Sequence, residues 1–389
     1  MNTINLGPQF INKIPFLSEL RYLEKVFSKY NGELRLVGGV VRDLLQNKTP
    51  KDVDLATNIL PNKMIKIGED NNLRVIPTGL AHGTVTFVIN HEPFEITTLR
   101  IDKETNGRHA EIEYTTDFKK DAGRRDLTIN AMSLDLRGNL YDYFNGYNDL
   151  QKNIVRFVGD SSLRIQEDYL RILRFFRFLG KVDVPNIDND TLTNIKNNVH
   201  GLDKISGERI WMEMSKIFIG NNLSTILNLM KNVGIDKHIS LNIKNIQLAD
   251  SLSQYEDPYL VLSSILDNEV EIHTLISRWK LDNYGKKFLL FMEKFKDTDL
   301  DISKAKALIA SGGDQNLVSK LFLMNHKPHE SYTISNWKLP IFPINGNDLN
   351  SIAKGPDLGK LLAKLRQHWI ESNYSLSRLE LINIAKGLI

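Results

Sequence analysis

The 389-residue sequence predicts an α+β fold, a mixed head followed by an all-helical remainder, on two observations. Between about residues 32 and 157, β-rich runs such as LRLVGG, GTVTFVI and FEITTLR alternate with turns containing Gly, Pro and Asn. From about Ser161 onward, LRIQEDYLRILRFFRFLG, SGERIWMEMSKIF and LGKLLAKLRQHWIESNY space their apolar residues as helices do, and β-branched alternation nearly vanishes. The length predicts two or three folded units, with loops expected at 186–190, 297–301 and 340–343.

Composition narrows the chemistry. With 0 cysteines, disulfides, thiolate zinc sites and thiol nucleophiles are excluded, and a reducing compartment is expected. A balance of 50 Lys+Arg against 47 Asp+Glu permits a polyanionic partner only where basic residues cluster. The opening MNTINLGPQFINKIPFL lacks the pattern of a secretory signal and is poor in Arg and Ser. No stretch approaches the roughly 18 apolar residues of a membrane span, so a cytoplasmic protein without membrane contact is expected.

The first chemical element is LRLVGGVVRDLLQ, a short strand running through Gly38 and Gly39 into a helix that carries Arg42. Glycines there let a phosphate approach backbone N–H groups, and Arg42 adds a planar cation. The plainer reading is a tight strand-to-helix turn with a surface arginine. The second element follows closely: PKDVDLAT places Asp52 and Asp54 at i and i+2 on a predicted strand, hence on one face. Two carboxylates suffice for a hard cation that keeps its waters and bridges substrate phosphates.

GGVVRD, then DVD, RRDLTINA and EDYLRILRFFRF in that order resemble the class II tRNA nucleotidyltransferase and bacterial poly(A) polymerase family, with most similarity to its CCA-adding members. The resemblance runs from about Arg35 to Gly180, with weaker echoes in ISGERIW and GPDLGKLLAKLRQHWI. It implies a polymerase-β-like nucleotidyltransferase head with a small mixed sheet (1–155), a helical neck with a nucleotide-reading helix (156–240) and an RNA-binding body and tail (241–389). By the same resemblance, Asp52 and Asp54 are metal-binding and catalytic, holding two Mg²⁺ ions that activate an RNA 3′-hydroxyl and stabilise the leaving pyrophosphate. Gly38, Gly39 and Arg42 are implied as triphosphate contacts, and Arg124, Arg125, Asp126 and Asn130 as contacts to the nucleotide sugar and phosphates, with Thr128 a further polar group. The implied substrates are CTP and ATP, and the implied partner is the 3′ end and acceptor arm of tRNA, with no obligate protein partner.

Glu95 lies between Phe94 and Ile96 on a predicted strand and faces away from them, as a third carboxylate or as an ordinary solvent-facing glutamate. RRDLTINA, taken alone, equally fits a helix start with Asp126 as N-cap. The segment 168–179 is apolar nearly all round yet carries Arg171, Arg174 and Arg177, so it predicts a buried helix whose arginines need more acceptors than Glu167 and Asp168 supply.

On such a helix Asp168 and Arg171 are i, i+3 neighbours, and an acceptor beside a donor fork matches cytosine and adenine, which pair an amino donor with a ring acceptor. Uracil and guanine present the reverse order. The resemblance assigns that reading role to Asp168 and Arg171, with Arg174 and Arg177 assisting; a helix-packing ion-pair ladder is the alternative. His82 in LAHGTVT is expected to be structural, and residues 102–116 to be a mobile loop. Basic amphipathic segments at 204–218 and 355–369 suit RNA phosphates or plain solvation. Complete CCA addition leads, with poly(A) synthesis, CC-only or A-only addition, and non-catalytic RNA binding as competing readings.

Overall fold

The computed structural model describes residues 2–50, 52–105 and 110–388. The chain forms two compact units, Met1–Pro258 with Thr274–Lys280, and Tyr259–His273 with Leu281–Ile389.

The first unit opens with ten strands: β1 (Asn2–Asn5), β2 (Leu34–Val37), β3 (Asp54–Thr57), β4 (Arg74–Gly79), β5 (Thr84–Ile89), β6 (Glu92–Thr98), β7 (Arg100–Thr105), β8 (Ala110–Tyr114), β9 (Ser133–Leu134) and β10 (Asn139–Asp142). Eight of them form one mixed sheet in the order β1-β10-β9-β2-β3-β6-β5-β4. Only β3 and β6 run parallel; the other neighbours are antiparallel. The sheet is larger than the small one expected, because β1, β9 and β10 are too short for alternation to reveal them. Residues 102–116, expected as a loop, lie largely in an antiparallel pairing of β7 with β8, and the tip at 106–109 is outside the described residues. Helix Leu17–Ser28 buries Leu20, Leu23, Val26 and Phe27, and the Phe27 ring meets Phe87 of β5 at 5.4 Å.

Beyond the sheet come the helices Ser161–Glu167, Leu170–Leu179 and Gly207–Phe218. The arginine helix therefore starts at Leu170 and not at Asp168, whose extended backbone (φ −155°) separates two helices. Its Leu170, Ile172, Leu173, Phe175, Phe176, Phe178 and Leu179 are buried, and Phe175 stacks on Phe157 at 5.5 Å, which meets the expectation of a buried helix. At its end, Gly180 touches Gly220: a Cβ on Gly180 would lie 3.4 Å from the Gly220 Cα, and Asn221 N donates to the Gly180 carbonyl at 3.0 Å. Segment Thr274–Lys280 completes this unit. Trp279 is buried and donates from Nε1 to the Ile239 carbonyl at 2.7 Å, while Arg278 donates to the carbonyls of Ile205 and Leu202.

The second unit is helical. Its C-terminal part packs helices Gly355–Glu371 and Arg378–Gly387 around Leu361, Leu365, Trp369, Leu381 and Ala385. Pro356 stands in the first turn of the former, where its missing N–H costs nothing, and Ser377 with Glu380 forms a capping box on the latter. Among the described residues no helix is long and apolar enough to cross a membrane.

Candidate active site

Strand β2 is buried throughout and delivers the chain to Gly38, whose φ of +74° is the left-handed region that a side chain would strain. A Cβ there would also approach Arg125 Nη1 to 2.9 Å, so the glycine lets the guanidinium and the turn lie together. Helix Gly39–Leu45 follows. Arg42 is buried on it, where its Nη1 donates to Asn130 Oδ1 at 2.6 Å and its Nη2 to Asp43 Oδ1 at 2.6 Å. The sequence-predicted triphosphate cation thus already has protein acceptors, one of them from the RRDLTINA segment.

β3 begins at Asp54, and Asp52 precedes it, so only one of the two carboxylates is on the strand. Both are exposed. The parallel register puts Glu95 of β6 level with Asp54, and its neighbours Phe94 and Ile96 are buried on the other face. Desolvation first, then the nearby Glu95 and Asp52 charges, raise the Asp54 carboxyl above its ordinary range, and Arg125 opposes them. Among the described residues neither Asp52 nor Asp54 has an ion pair or hydrogen bond. Two exposed, unpaired carboxylates in a mutually repelling cluster fit a hard divalent cation. Among the described residues no three His, Asp or Glu side chains converge closely enough to hold an ion, so the donor set is an open one, to be completed by water and phosphate oxygens.

Arg124 and Arg125 follow the short helix Phe118–Gly123 and both pair with Asp121, at 2.9 and 3.3 Å. Burial alone would raise the Asp121 carboxyl; the two guanidinium groups overcome it and hold it low. Asp126 is not an N-cap. It is 6% exposed, accepts from Leu127 N at 2.9 Å and from Arg174 Nε at 2.6 Å, and is likewise held low against its burial, chiefly by Arg174.

Each arginine of the buried helix has a protein acid. Arg171 meets Glu167 and also donates to the Arg124 carbonyl at 3.1 Å; Arg174 meets Asp126; Arg177 lies 2.8 Å from Glu213. Both atoms of the last contact lack a hydrogen-bond partner, so it is a charge contact without a directed bond. Asp168 and Arg171 do not pair with each other. Asp168 Oδ2 accepts from Arg209 Nη2 at 2.7 Å, and its Oδ1 from Leu170 N at 3.2 Å. Desolvation lowers the Arg177 pKa, whereas its outcome for Arg174 is reversed by Asp126.

A cleft of about 690 Å³ gathers Gly39, Arg42, Asp52, Asp54 and Arg177 with Lys48, Lys181 and Lys216. The reading of the sequence missed Asp121, Arg209, Glu213, Lys181 and Lys216. Glu213 left a signal: it sits at the helical spacing of Ile210, Met214 and Ile217, and an acid on an apolar face requires a partner. His82 is exposed in a short turn, and its carbonyl accepts from Arg100.

Two family models match the chain, the "Poly A polymerase head domain" over residues 34–156 and the "Probable RNA and SrmB- binding site of polymerase A" over residues 186–245. A relative from Danio rerio, "CCA tRNA nucleotidyltransferase 1, mitochondrial", is 39% identical over 95% of this chain and 90% of its own. A "CCA-adding enzyme" from Ligilactobacillus salivarius is 30% identical over 99% and 98%. The crystal structure of the Bacillus stearothermophilus CCA-adding enzyme in complex with CTP shares the fold, with a TM-score of 0.78, 22% identity and coverage of 96% of this chain and 98% of that one. Identity at the level of the Danio relative, over nearly the whole chain, makes this protein a member of the CCA tRNA nucleotidyltransferase family.

Proposed function

We propose that the protein rebuilds the 3′ end of tRNA, adding C, C and A from CTP and ATP without a nucleic-acid template and releasing pyrophosphate at each step. The observation that carries this is the meeting, within one compact unit, of the unpaired Asp52 and Asp54, the glycine turn, and the arginine helix.

Asp52 and Asp54 would hold Mg²⁺, which when bound supplies Lewis-acid activation of the RNA 3′-hydroxyl and charge neutralisation at the leaving pyrophosphate. Glu95, level with Asp54, keeps negative charge beside that pair and is placed to take a proton. Gly38 and Gly39 leave the start of their helix open to phosphate oxygens, and Arg42, fixed by Asn130 and Asp43, presents a preset cation to them. Arg124 and Arg125, oriented by Asp121, serve the phosphates and sugar, as Asp126 does through Arg174.

Base choice falls to Asp168 and Arg171. Arg209 holds Asp168 in place by a hydrogen bond, so that it accepts from the amino group shared by cytosine and adenine, while Arg171 donates to the adjacent ring nitrogen. Uracil and guanine present a carbonyl to the carboxylate and are repelled. Arg174 and Arg177 steady the base and phosphates. The acceptor arm's phosphates are taken by exposed cations of the helical region, such as Lys360 and Lys364.

The test is incorporation by the purified protein with Mg²⁺ on tRNAs ending before CCA, after C and after CC, with each nucleoside triphosphate alone and with CTP plus ATP. Ordered addition of two C and one A supports the proposal. Arrest at CC assigns the final step to another enzyme, and long A tracts on unrelated RNA assign the protein to poly(A) synthesis.

A further inference from the structure

We propose that Lys181 is a further substrate-binding residue, which holds the terminal phosphates of the incoming nucleotide and then the departing pyrophosphate; this rests on the nucleotidyl-transfer reading above. In that step the RNA 3′-oxygen bonds to the α-phosphorus and its proton passes to a site carboxylate or water. The bond from the α-phosphorus to its bridging oxygen breaks, and that oxygen keeps the electron pair as part of the pyrophosphate.

Arg42 is neutralised by Asp43, and Arg177 by Glu213. Lys48, Lys181 and Lys216 remain, without an ion pair among the described residues. The Lys181 ammonium lies 5.6 Å from the centre of the Phe178 ring, and Asp43 attracts it without forming an ion pair. Three lysines and two carboxylates, none of them in an ion pair among the described residues, share one cavity. A metal-bound polyphosphate satisfies both sets at once.

Position favours the end of a triphosphate. The cavity is lined by Gly39, Arg42, Asp52, Asp54 and Arg177, but Asp168 and Arg171, the pair assigned to base choice, do not line it. A nucleotide that places its base by those residues and passes its phosphates over the carboxylates ends its chain beside Lys181. The contact of Gly180 with Gly220 builds that wall, since it brings Lys181 and Asn221, each one residue past a glycine, to the same cavity.

Charge behaviour agrees. Desolvation in the cleft, followed by the Arg42 charge, lowers the Lys181 pKa to about 8, with Arg177 and Lys48 adding and Asp43 opposing. The charged groups that share the cavity with it are Arg42, Asp43, Lys48, Asp52, Asp54, Arg177 and Lys216. A polyphosphate binds the protonated amine, so its affinity falls as pH rises through about 8.

The experiment compares the full-length protein with Lys181→Met and Lys181→Arg, measuring KM for CTP and for tRNA, and inhibition by inorganic pyrophosphate and by CMP. Lys181→Met is expected to raise the CTP KM and the pyrophosphate Ki by roughly tenfold, the scale of one charge-assisted hydrogen bond, and to leave CMP inhibition unchanged because CMP has no terminal phosphates. Lys181→Arg is expected to restore affinity and to flatten its decline between pH 7 and 9. Equal losses for CTP and CMP, a change confined to the tRNA KM, or no change overturns the proposal. A wild type that incorporates no nucleotide overturns the nucleotidyl-transfer reading instead, and pyrophosphate binding by calorimetry then still decides the role of Lys181.

Discussion

The acidic strand edge and the arginine helix follow opposite rules. Asp52 and Asp54 stand exposed, with no protein partner among the described residues, whereas Arg171, Arg174 and Arg177 are each met by an acid. The difference follows from solvation. A carboxylate with an exposed face keeps much of its hydration, the partial desolvation of Asp54 showing as a raised pKa, but a half-buried guanidinium without a counter-charge costs several kcal/mol. The strand edge therefore keeps its carboxylates free of protein partners, and the helix binds an anion only by exchanging partners it already has.

The largest effect should come from removing the unpaired carboxylates. Replacing Asp52 and Asp54 together by Ala is expected to lower nucleotide incorporation by at least roughly 10³-fold while leaving the thermal midpoint unchanged or slightly higher, because like charges are removed. Initial rates alongside a thermal scan measure both; residual activity within tenfold of wild type would break the comparison.

The paired side should respond in the opposite sense. Glu213→Ala leaves Arg177 without its acid and is expected to cost about 3–5 kcal/mol of stability, read by urea unfolding, with Glu213→Gln costing less. If Glu213→Ala unfolds at the wild-type urea concentration, the helix is not held by its pairs.

A smaller effect, visible in the pH dependence, concerns Asp126. Its folded pKa lies below the ordinary carboxylate value, so the Arg174 pair contributes stability that is complete above about pH 4 and lost as pH falls through the folded value. Arg174→Met removes the strongest of the groups that hold the buried carboxyl low, leaving the Leu127 N–H and Asn130 to oppose its burial, so the pKa rises. That variant should be less stable by about 2 kcal/mol at pH 7 and recover part of the deficit as pH falls toward 4. Unfolding free energies at pH 7, 5 and 4 test the crossing of slopes.

The smallest effect is expected of an ion pair that is fully in solvent. Lys360 and Asp357 are both more than three-quarters exposed, and Asp357→Ala should change stability by less than about 0.5 kcal/mol in the same urea assay.

What could be read in the sequence was whatever is local. The strand periods, the glycine turn, the face of Glu95 and the need of three arginines for more acids all follow from spacing within a few residues. The identities of those acids do not, since Asp126 and Glu213 reach the helix from 48 and 36 positions away, and only folding brings them there. The break at Asp168 was hidden because the apolar period continues across it, while Asp as a capping residue turns the backbone out of the helix. β7 and β8 were obscured by their charge, which reads as a loop although backbone pairing does not depend on the charge of the side chains. Lys181 and Lys216 carried no pattern at all, because a shared cavity is not a period.

The seven residues of Thr274–Lys280 bear on how the protein can be dissected. They belong to the first compact unit, although the chain on both sides of them belongs to the second, so the polypeptide passes between the units three times. A Cβ on Gly207 would lie 2.0 Å from the Arg278 carbonyl, which shows how tightly the start of the helix bearing Arg209 and Glu213 is laid against this segment. No single cut separates the two units cleanly. A truncation after Pro258 would keep every residue assigned to the chemistry yet strip Arg278 and Trp279 from beneath the helix that aims Asp168, so the catalytic half is a fragment by sequence but not a module by architecture.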